Sequence, residues 1–317
     1  MITLRQLRYF HALAAAGHFR RAAEASGVSQ PALSMQLREL EATLGGALVE
    51  RGPDGASLTG LGREVEERVT HILAAVRDLE ELARTQSQQL TGPLRLGVIP
   101  SVAPFLLPRL LARAAAAYPA LQLVVRETIT GHLVEELADG GLDAIVASLP
   151  LEVGDFEEVP AFDDAFLLAA PAGSPHARHS PALADMIDAE ELLLLEDGHC
   201  LRDQALAVCH RIDPRRLRSF GATSIATVLQ LVAAGQGITL VPQMAVDAGI
   251  SADARLALVR FAAPEPYRTI GLAWRKASPR RAHFLALVDL LRPCETDATV
   301  APQRAGAKRQ EPRRRGR

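Results

Sequence analysis

Residues 19–38 read Phe19-Arg20-Arg21-Ala22-Ala23-Glu24-Ala25-Ser26-Gly27-Val28-Ser29-Gln30-Pro31-Ala32-Leu33-Ser34-Met35-Gln36-Leu37-Arg38. Ala23 is small where two helices must touch, Gly27 takes a turn four residues on, and Leu33, six further, anchors a second helix. This spacing predicts a helix-turn-helix, whose second helix enters the major groove with its N-terminal residues at base edges. Those residues are Ser29, Gln30, Pro31, Ala32 and Ser34, with Gln36 and Arg38 further along. Gln pairs with adenine, Arg with guanine or phosphate, and an Ala methyl suits a thymine methyl. Arg5, Arg20 and Arg51 complete the candidate DNA contacts.

The flanks extend this reading. Leu4, Leu7, Phe10, Leu13 and Ala14 form one stripe of a helix over 4–16, stopped by Gly17. Ser29 is placed to cap the second helix, with Pro31 in its first turn, and Gly45-Gly46 end it. Two short strand-like pieces within 47–58 surround the turn Arg51-Gly52-Pro53-Asp54-Gly55, as in a wing. Thr59 then caps a long helix reaching about Gln89. Its apolar positions Leu61, Val65, Val69, Ile72, Val76, Leu79 and Leu82 repeat by threes and fours. The expectation is a seam between two copies of the chain; the alternative is a surface helix packed on its own domain.

Gly92-Pro93 breaks that helix. Beyond it strands at 94–99, 121–127 and 143–147 alternate with helices at 102–117 and 130–139, which predicts α/β with a parallel sheet. Further strands are expected near 166–170, 192–195, 238–241 and 270–274, and helices near 201–210, 224–234 and 280–291. The division expected is a winged helix-turn-helix domain at 1–58, a linker and dimerisation helix at 59–91, an effector domain at 92–294 and a basic tail at 295–317.

Composition narrows the class. The 317 residues suffice for two domains, and 48% hydrophobic with 23% charged residues is ordinary for a globular protein. No apolar run is long enough to cross a membrane, and no signal peptide is visible, so a cytoplasmic protein is expected. The net charge of −2 hides an uneven distribution. Residues 1–38 carry five arginines against one acid, while 59–90 carry four arginines against six acids. A basic head before an acidic segment hints at a polyanion partner. Residues 295–317 hold seven basic residues against three acids and read as a disordered tail.

Three cysteines exclude a disulfide scaffold. Two of them lie in Leu195-Glu196-Asp197-Gly198-His199-Cys200-Leu201-Arg202-Asp203-Gln204-Ala205-Leu206-Ala207-Val208-Cys209; Cys294 is remote. Cys200 is expected at a helix N-terminus, where free N–H groups, Arg202 and His199 favour a thiolate. A thiolate is the form that peroxide oxidises. Nine residues of helix span about 13.5 Å, half a turn out of phase, whereas a disulfide needs Cα atoms about 4.4–6.8 Å apart. If both cysteines sit on one helix in the reduced protein, joining them requires local unfolding. An inert buried role for Cys209 is the alternative. The spacing lacks the paired ligands of structural zinc, so no metal site is assigned.

The strings Phe19-Arg20-Arg21-Ala22-Ala23, Val28 to Ser34 and Leu37-Arg38-Glu39-Leu40-Glu41, continued through Thr59-Gly60-Leu61-Gly62, resemble the N-terminal motif of LysR-type transcriptional regulators. The resemblance implies a winged helix-turn-helix, a helix-mediated dimer, and an effector domain of two Rossmann-like subdomains, of the kind seen in periplasmic binding proteins. It also implies double-stranded promoter DNA as partner, RNA polymerase as a second partner, and a dimer of dimers. The Cys200 segment resembles that of the hydrogen-peroxide-sensing branch of the family. So do Gly97-Val98-Ile99-Pro100, Ala222-Thr223-Ser224, 232–240 and 264–272. By that resemblance Cys200 is the peroxidatic cysteine and Cys209 its disulfide partner. It implies hydrogen peroxide as signal, a thiol reductant for resetting, and activation of oxidative-stress genes. Thr130, His199, Arg202, Asp203 and Arg268 fall where it implies peroxide positioning, thiolate activation or support of the reduced packing. Ser101 stands where the branch carries Thr; its hydroxyl still donates and accepts one hydrogen bond.

Other readings remain open at this point. A LysR-type regulator answering a small organic ligand in the effector cleft would leave the cysteines incidental. A thiol peroxidase gives the DNA-reading head no place, and the expectation is a non-enzyme with no cofactor. A solute-binding protein would carry a signal peptide.

Overall fold

The computed structural model describes residues 1–52, 55–84, 90–151, 154–178, 180–188, 191–209, 221–250 and 252–293. Cys294, the tail, Pro53, Asp54 and the expected last turn of the long helix lie outside the described residues.

Three helices and a hairpin form the head: α1 (Leu4–Ala16), α2 (Phe19–Ala25), α3 (Gln30–Leu44), β1 (Val49–Gly52) and β2 (Gly55–Leu58). Each helix begins and ends where local chemistry dictates. Thr3 and Gln6 form a reciprocal capping box on α1. Ser29 caps α3 by accepting from the Ala32 amide, and Gly45 closes α3 at φ 78°. Phe10, Ala22, Leu33, Leu40 and Leu48 are fully buried in the head's core.

The 25-residue helix α4 (Gly60–Arg84) follows. Thr59 fixes its start, accepting from the Gly62 amide at 2.9 Å and donating to the Ala47 carbonyl at 2.7 Å. A Cβ on Gly62 would lie 2.0 Å from the Leu48 carbonyl oxygen, so α4 and the head meet there backbone to backbone. Gly62→Ala is therefore expected to destabilise the head by about 1–3 kcal/mol, as overpacking of a close contact does; urea unfolding of the variant checks this. Leu61, Ile72, Leu79 and Leu82 are exposed along α4, whereas Val69 and Leu73 pack on the head. The stripe read from the sequence thus divides between the head's core and an uncovered row.

The remainder is a curled mixed sheet with helices on its faces. β3 (Gly92–Val98), β4 (Leu121–Glu127) and β5 (Ala144–Leu149) are parallel and alternate with α5 (Ala103–Ala117) and α6 (Thr130–Ala138). β6 (Phe156–Pro171) is 16 residues long and runs through both lobes. After it come α7 (Pro175–Arg178), α8 (Cys200–Val208), α9 (Ile225–Ala233), β7 (Thr239–Pro242), α10 (Gln243–Asp247), β8 (Leu256–Arg260), β9 (Tyr267–Arg275) and α11 (Arg281–Leu291). The order is β4-β3-β5-β9-β6-β7, with β8 also paired to β6.

Two expectations need correction. The sheet is parallel only over β3–β5; β9 runs antiparallel to β5 and β6, and β7 and β8 run antiparallel to β6. The apolar run 192–195 makes a single bridge, Leu192 to Ile238, rather than a strand. Leu192, Leu193, Leu194 and Leu195 are all buried, so that run marks core rather than sheet. β8 and α10 were not expected from the sequence.

The two lobes have separate cores. One gathers β3, β5, β9, α5, α6 and α11 around Trp274 and Phe284, whose ring centroids are 5.1 Å apart. The other gathers Phe166, Leu168, Leu192, Leu201, Val232 and Leu240.

Candidate functional site

Helix α8 joins the two cores. Cys200 is its first residue, half-buried against the first core. Cys209 is its C-terminal cap, 2% exposed inside the second core. Both are free thiols. The helix is therefore intact between them, and its rise separates the two residues by about 13.5 Å. Burial pushes the Cys209 thiol up to about 11 from an ordinary 9.0. At pH 8 its thiolate population then falls about 100-fold below that of a free thiol, since each pKa unit is tenfold. Alkylation of Cys209 in the folded reduced protein is accordingly expected to run at least about 100-fold slower than after denaturation, which timed labelling with peptide mass spectrometry reads directly.

Cys200 faces a cleft of about 770 Å³ between the lobes. Ser101 Oγ stands 4.0 Å from its Sγ. That hydroxyl is held from behind. Arg268 Nη1 donates to Ser101 Oγ at 2.8 Å and Nη2 to the Ser101 carbonyl at 3.1 Å. Arg268 Nε in turn donates to Asp164 at 3.0 Å, in an ion pair with each side chain 1% exposed. Asp164 also accepts from the Met244 amide at 3.0 Å. Its carboxyl is raised above its ordinary range by burial, with Arg268 and the Met244 amide opposing. The hydroxyl beside Cys200 is thus fixed by β9, β6 and α10 together.

The expected support residues separate in space. Thr130, the first residue of α6, lines the cleft, and its Oγ1 is buried with no hydrogen-bond partner. Asp203 and Arg268 also line it. His199 is buried just before Cys200 but does not line the cleft. Arg202 points elsewhere: its guanidinium donates to the Leu195 carbonyl at 3.1 Å and pairs with Asp197 at 2.7 Å. That placement anchors the start of α8 to the segment before it. One residue was missed. Gln204 lines the cleft one turn beyond Cys200, and its Oε1 is buried and unpartnered. The i, i+4 spacing from Cys200 is the signal that would have found it. An unpartnered buried polar atom costs about 1–3 kcal/mol until something bonds it, so Thr130 and Gln204 equip the cleft for a polar guest.

In the head, Gln30, Pro31 and Arg38 are exposed and Ala32 is half-exposed. Arg5 and Arg20 are exposed too, the latter paired with Glu24 at 2.9 Å. Ser29 is exposed, but its hydroxyl serves the helix cap. Gln36 is half-buried and donates to Glu39 at 2.9 Å. Ser34 is 8% exposed, and its Oγ accepts from Arg51 at 2.9 Å. Arg51 also lies over the Phe19 ring, 4.3 Å from its centroid. The wing is therefore tied to α2 and α3 through Arg51, with Ser34 at that joint. Met35, exposed on α3, was not expected among the contacts.

Comparison with known proteins agrees with this architecture. Residues 4–63 match the bacterial regulatory helix-turn-helix protein, lysR family, and residues 87–293 match the LysR substrate binding domain. The chain belongs to the LysR family of transcriptional regulators. Among LysR-family proteins it is similar to the DNA-binding transcriptional dual regulator OxyR of Escherichia coli, 40% identical over 292 residues, covering 92% of this chain and 95% of that one. A probable hydrogen peroxide-inducible genes activator of Mycobacterium avium is 42% identical over 294 residues, covering 91% of this chain and 93% of that one. Among solved structures, a full-length OxyR cysteine-to-aspartate variant from Pseudomonas aeruginosa superposes with a TM-score of 0.75 at 34% identity, over 94% of this chain and all of that one. A hydrogen-peroxide-bound OxyR cysteine-to-serine variant from Corynebacterium glutamicum gives 0.63 at 34% identity, over 92% and 91% of the two chains. The LysR fold is thus a DNA-reading head followed by a two-lobed effector domain, and no helix among the described residues is long and apolar enough to cross a membrane.

Proposed function

We propose that this LysR-family regulator senses hydrogen peroxide through Cys200 and binds promoter DNA as a homo-oligomer, a dimer of dimers, to activate oxidative-stress genes with RNA polymerase. The observation that carries the reading is a half-buried thiol at a helix N-terminus, backed by a fixed hydroxyl and facing a cleft with two unpartnered polar atoms, nine residues from a second thiol. The relatives named as hydrogen peroxide-inducible activators support it.

The chemistry balances without a cofactor. The Cys200 thiolate attacks one peroxide oxygen, the O–O bond breaks, and the departing hydroxide takes a proton to leave as water. The Cys200 sulfenic acid is then attacked by the Cys209 thiolate; the S–O bond breaks, a second water leaves and the disulfide forms. Two thiols are oxidised and one peroxide is reduced to two waters. A cellular dithiol reverses the disulfide by exchange. In this scheme Ser101, Thr130 and Gln204 orient peroxide by hydrogen bonds, and Arg268 positions Ser101. His199, Arg202 and Asp203 hold the start of α8 and the rim of the cleft. The DNA contacts are Gln30, Pro31, Ala32, Gln36 and Arg38 on α3, with Arg5, Arg20 and Arg51 toward phosphates. The exposed row on α4 forms the dimer seam within a linker at 59–91, between a DNA domain at 1–58 and an effector domain at 92–294. The cytoplasm is the compartment where such a regulator meets DNA and a thiol reductant.

Disulfide mapping by peptide mass spectrometry tests the core of this. Reduced protein given near-stoichiometric peroxide is expected to yield a Cys200–Cys209 link within seconds to minutes. Unmodified Cys200 under those conditions overturns the reading. The cleft of about 770 Å³ is far larger than peroxide requires, which favours a small organic effector as the second reading. Calorimetry with carboxylate and aromatic ligands then becomes the next measurement.

A further inference from the structure

The head and the effector domain both hold α4 along its course, and the head reaches as far as Glu80 through Arg8, 3.5 Å away. On the head side, His11 Nδ1 lies 2.6 Å from Glu66 Oε1, and Thr70 donates to the same carboxylate at 3.3 Å. On the effector side, Arg77 Nη2 donates to the Asp139 carbonyl at 2.9 Å, just past α6. One residue on, Asp78 Oδ1 accepts from Arg275 Nη2 at 2.8 Å, in a pair whose side chains are 18% and 13% exposed. The same guanidinium is fixed by donating Nη1 to the Leu137 and Leu142 carbonyls at 2.9 and 3.1 Å. Gly140 supplies the fit: a Cβ there would lie 2.8 Å from both Ala74 Cβ and Arg77 Nη2.

This ion pair is partly buried, directional and remote from the cysteines. Arg275 ends β9, the strand whose first residues, Tyr267, Arg268 and Thr269, wall the cleft. From Asp78 back to Gly60, where α4 leaves the head, 18 residues span about 27 Å. A tilt of about 10° about the pair therefore carries the head end about 5 Å, against the ~34 Å that separates half-sites one helical turn apart.

We propose that Asp78 and Arg275, seated by Gly140 against Ala74, form a latch that sets the angle between effector domain and DNA-reading head, making them positioning residues for operator binding. The inference rests on the DNA-binding role of the family, not on the cysteine chemistry.

Full-length reduced protein tests it. The probe is a duplex selected from a random-sequence library by the unaltered protein. Asp78→Asn, Asp78→Arg and the conservative Asp78→Glu are compared by hydroxyl-radical footprinting and titration, counted per folded molecule by circular dichroism and thiol titre. Asp78→Arg is expected to change affinity at least about fivefold, within the range of ordinary coupling between sites, and to alter the length or phasing of the footprint. Asp78→Asn is expected to move both in the same direction by less, and Asp78→Glu, which keeps the carboxylate for Arg275, to stay near the unaltered protein. The rate of Cys200 modification by peroxide is expected to stay within twofold, so a failure of the peroxide reading and of the latch remain distinguishable. An unchanged footprint and affinity in folded Asp78→Arg overturns the proposal, as does an equal change in Asp78→Glu.

Discussion

Cys200→Ser is expected to abolish peroxide-driven disulfide formation and to slow peroxide consumption by the protein more than 100-fold, as read by stopped-flow assay and peptide mapping. A serine hydroxyl has no accessible anion near neutral pH and no comparable affinity for peroxide oxygen, so no residual route passes through that position. Cys209→Ser separates the two steps. In that variant Cys200 still becomes a sulfenic acid, trapped by a dimedone-type reagent at an unchanged rate, and no internal disulfide follows. If Cys209→Ser also slows the first oxidation, the roles assigned to the two thiols are wrong.

The second large effect is on stability. Arg268→Ala is expected to cost about 3–5 kcal/mol in urea unfolding, because it leaves Asp164 buried without its cation. The pH dependence has a definite sign. Burial already holds the Asp164 carboxyl above its ordinary range, with Arg268 opposing. Without that cation the folded pKa rises further above the unfolded value. A group that binds its proton more tightly when folded loses stability as pH rises. The penalty is therefore small below the ordinary carboxylate range and grows as pH climbs from there to neutrality. Asp164→Asn in the same background is expected to recover part of the loss. The variant also releases Ser101 Oγ, so peroxide oxidation of Cys200 is expected to slow roughly tenfold even where the protein is fully folded. A loss that is flat between pH 5 and 8 contradicts this account of the pair.

Much of the fold was legible because its local signals agree with its tertiary contacts. Ser29 and Thr59 cap helices as their positions foretold, and Gly17 and Gly45 end them in left-handed conformations. The strands β3, β4 and β5 sit within a residue or two of their expected bounds. The failures have a common source. Antiparallel β9 and β6 are strands whose direction depends on partners distant in sequence, and nothing local encodes that. The run 192–195 is buried on every side, and burial alone does not separate strand from irregular core. At the site, residue chemistry identified Cys200 and its family resemblance brought in Arg268, Thr130 and Ser101. Local sequence was silent on Ser34 turning inward to Arg51, and on Asp164 pairing with Arg268, 104 residues away. Side-chain direction on α3 depends on the wing, and a buried partner is visible only once β6 and β9 are paired.

The placement of Cys209 has a further consequence. Its thiol is the plug of the second core, so closing a disulfide removes a packed side chain and exposes the apolar wall behind it. The energy of that packing opposes oxidation and assists reduction. For a two-electron couple, about 1.4 kcal/mol corresponds to about 30 mV. Core mutations around Leu201, Ala205 and Ile225, none of which touches peroxide chemistry, would act as a tuning screw on how long the oxidised state survives once the oxidant is gone. In the proposed switch, the duration of the response would be set by hydrocarbon packing, with the reactive sulfur unchanged.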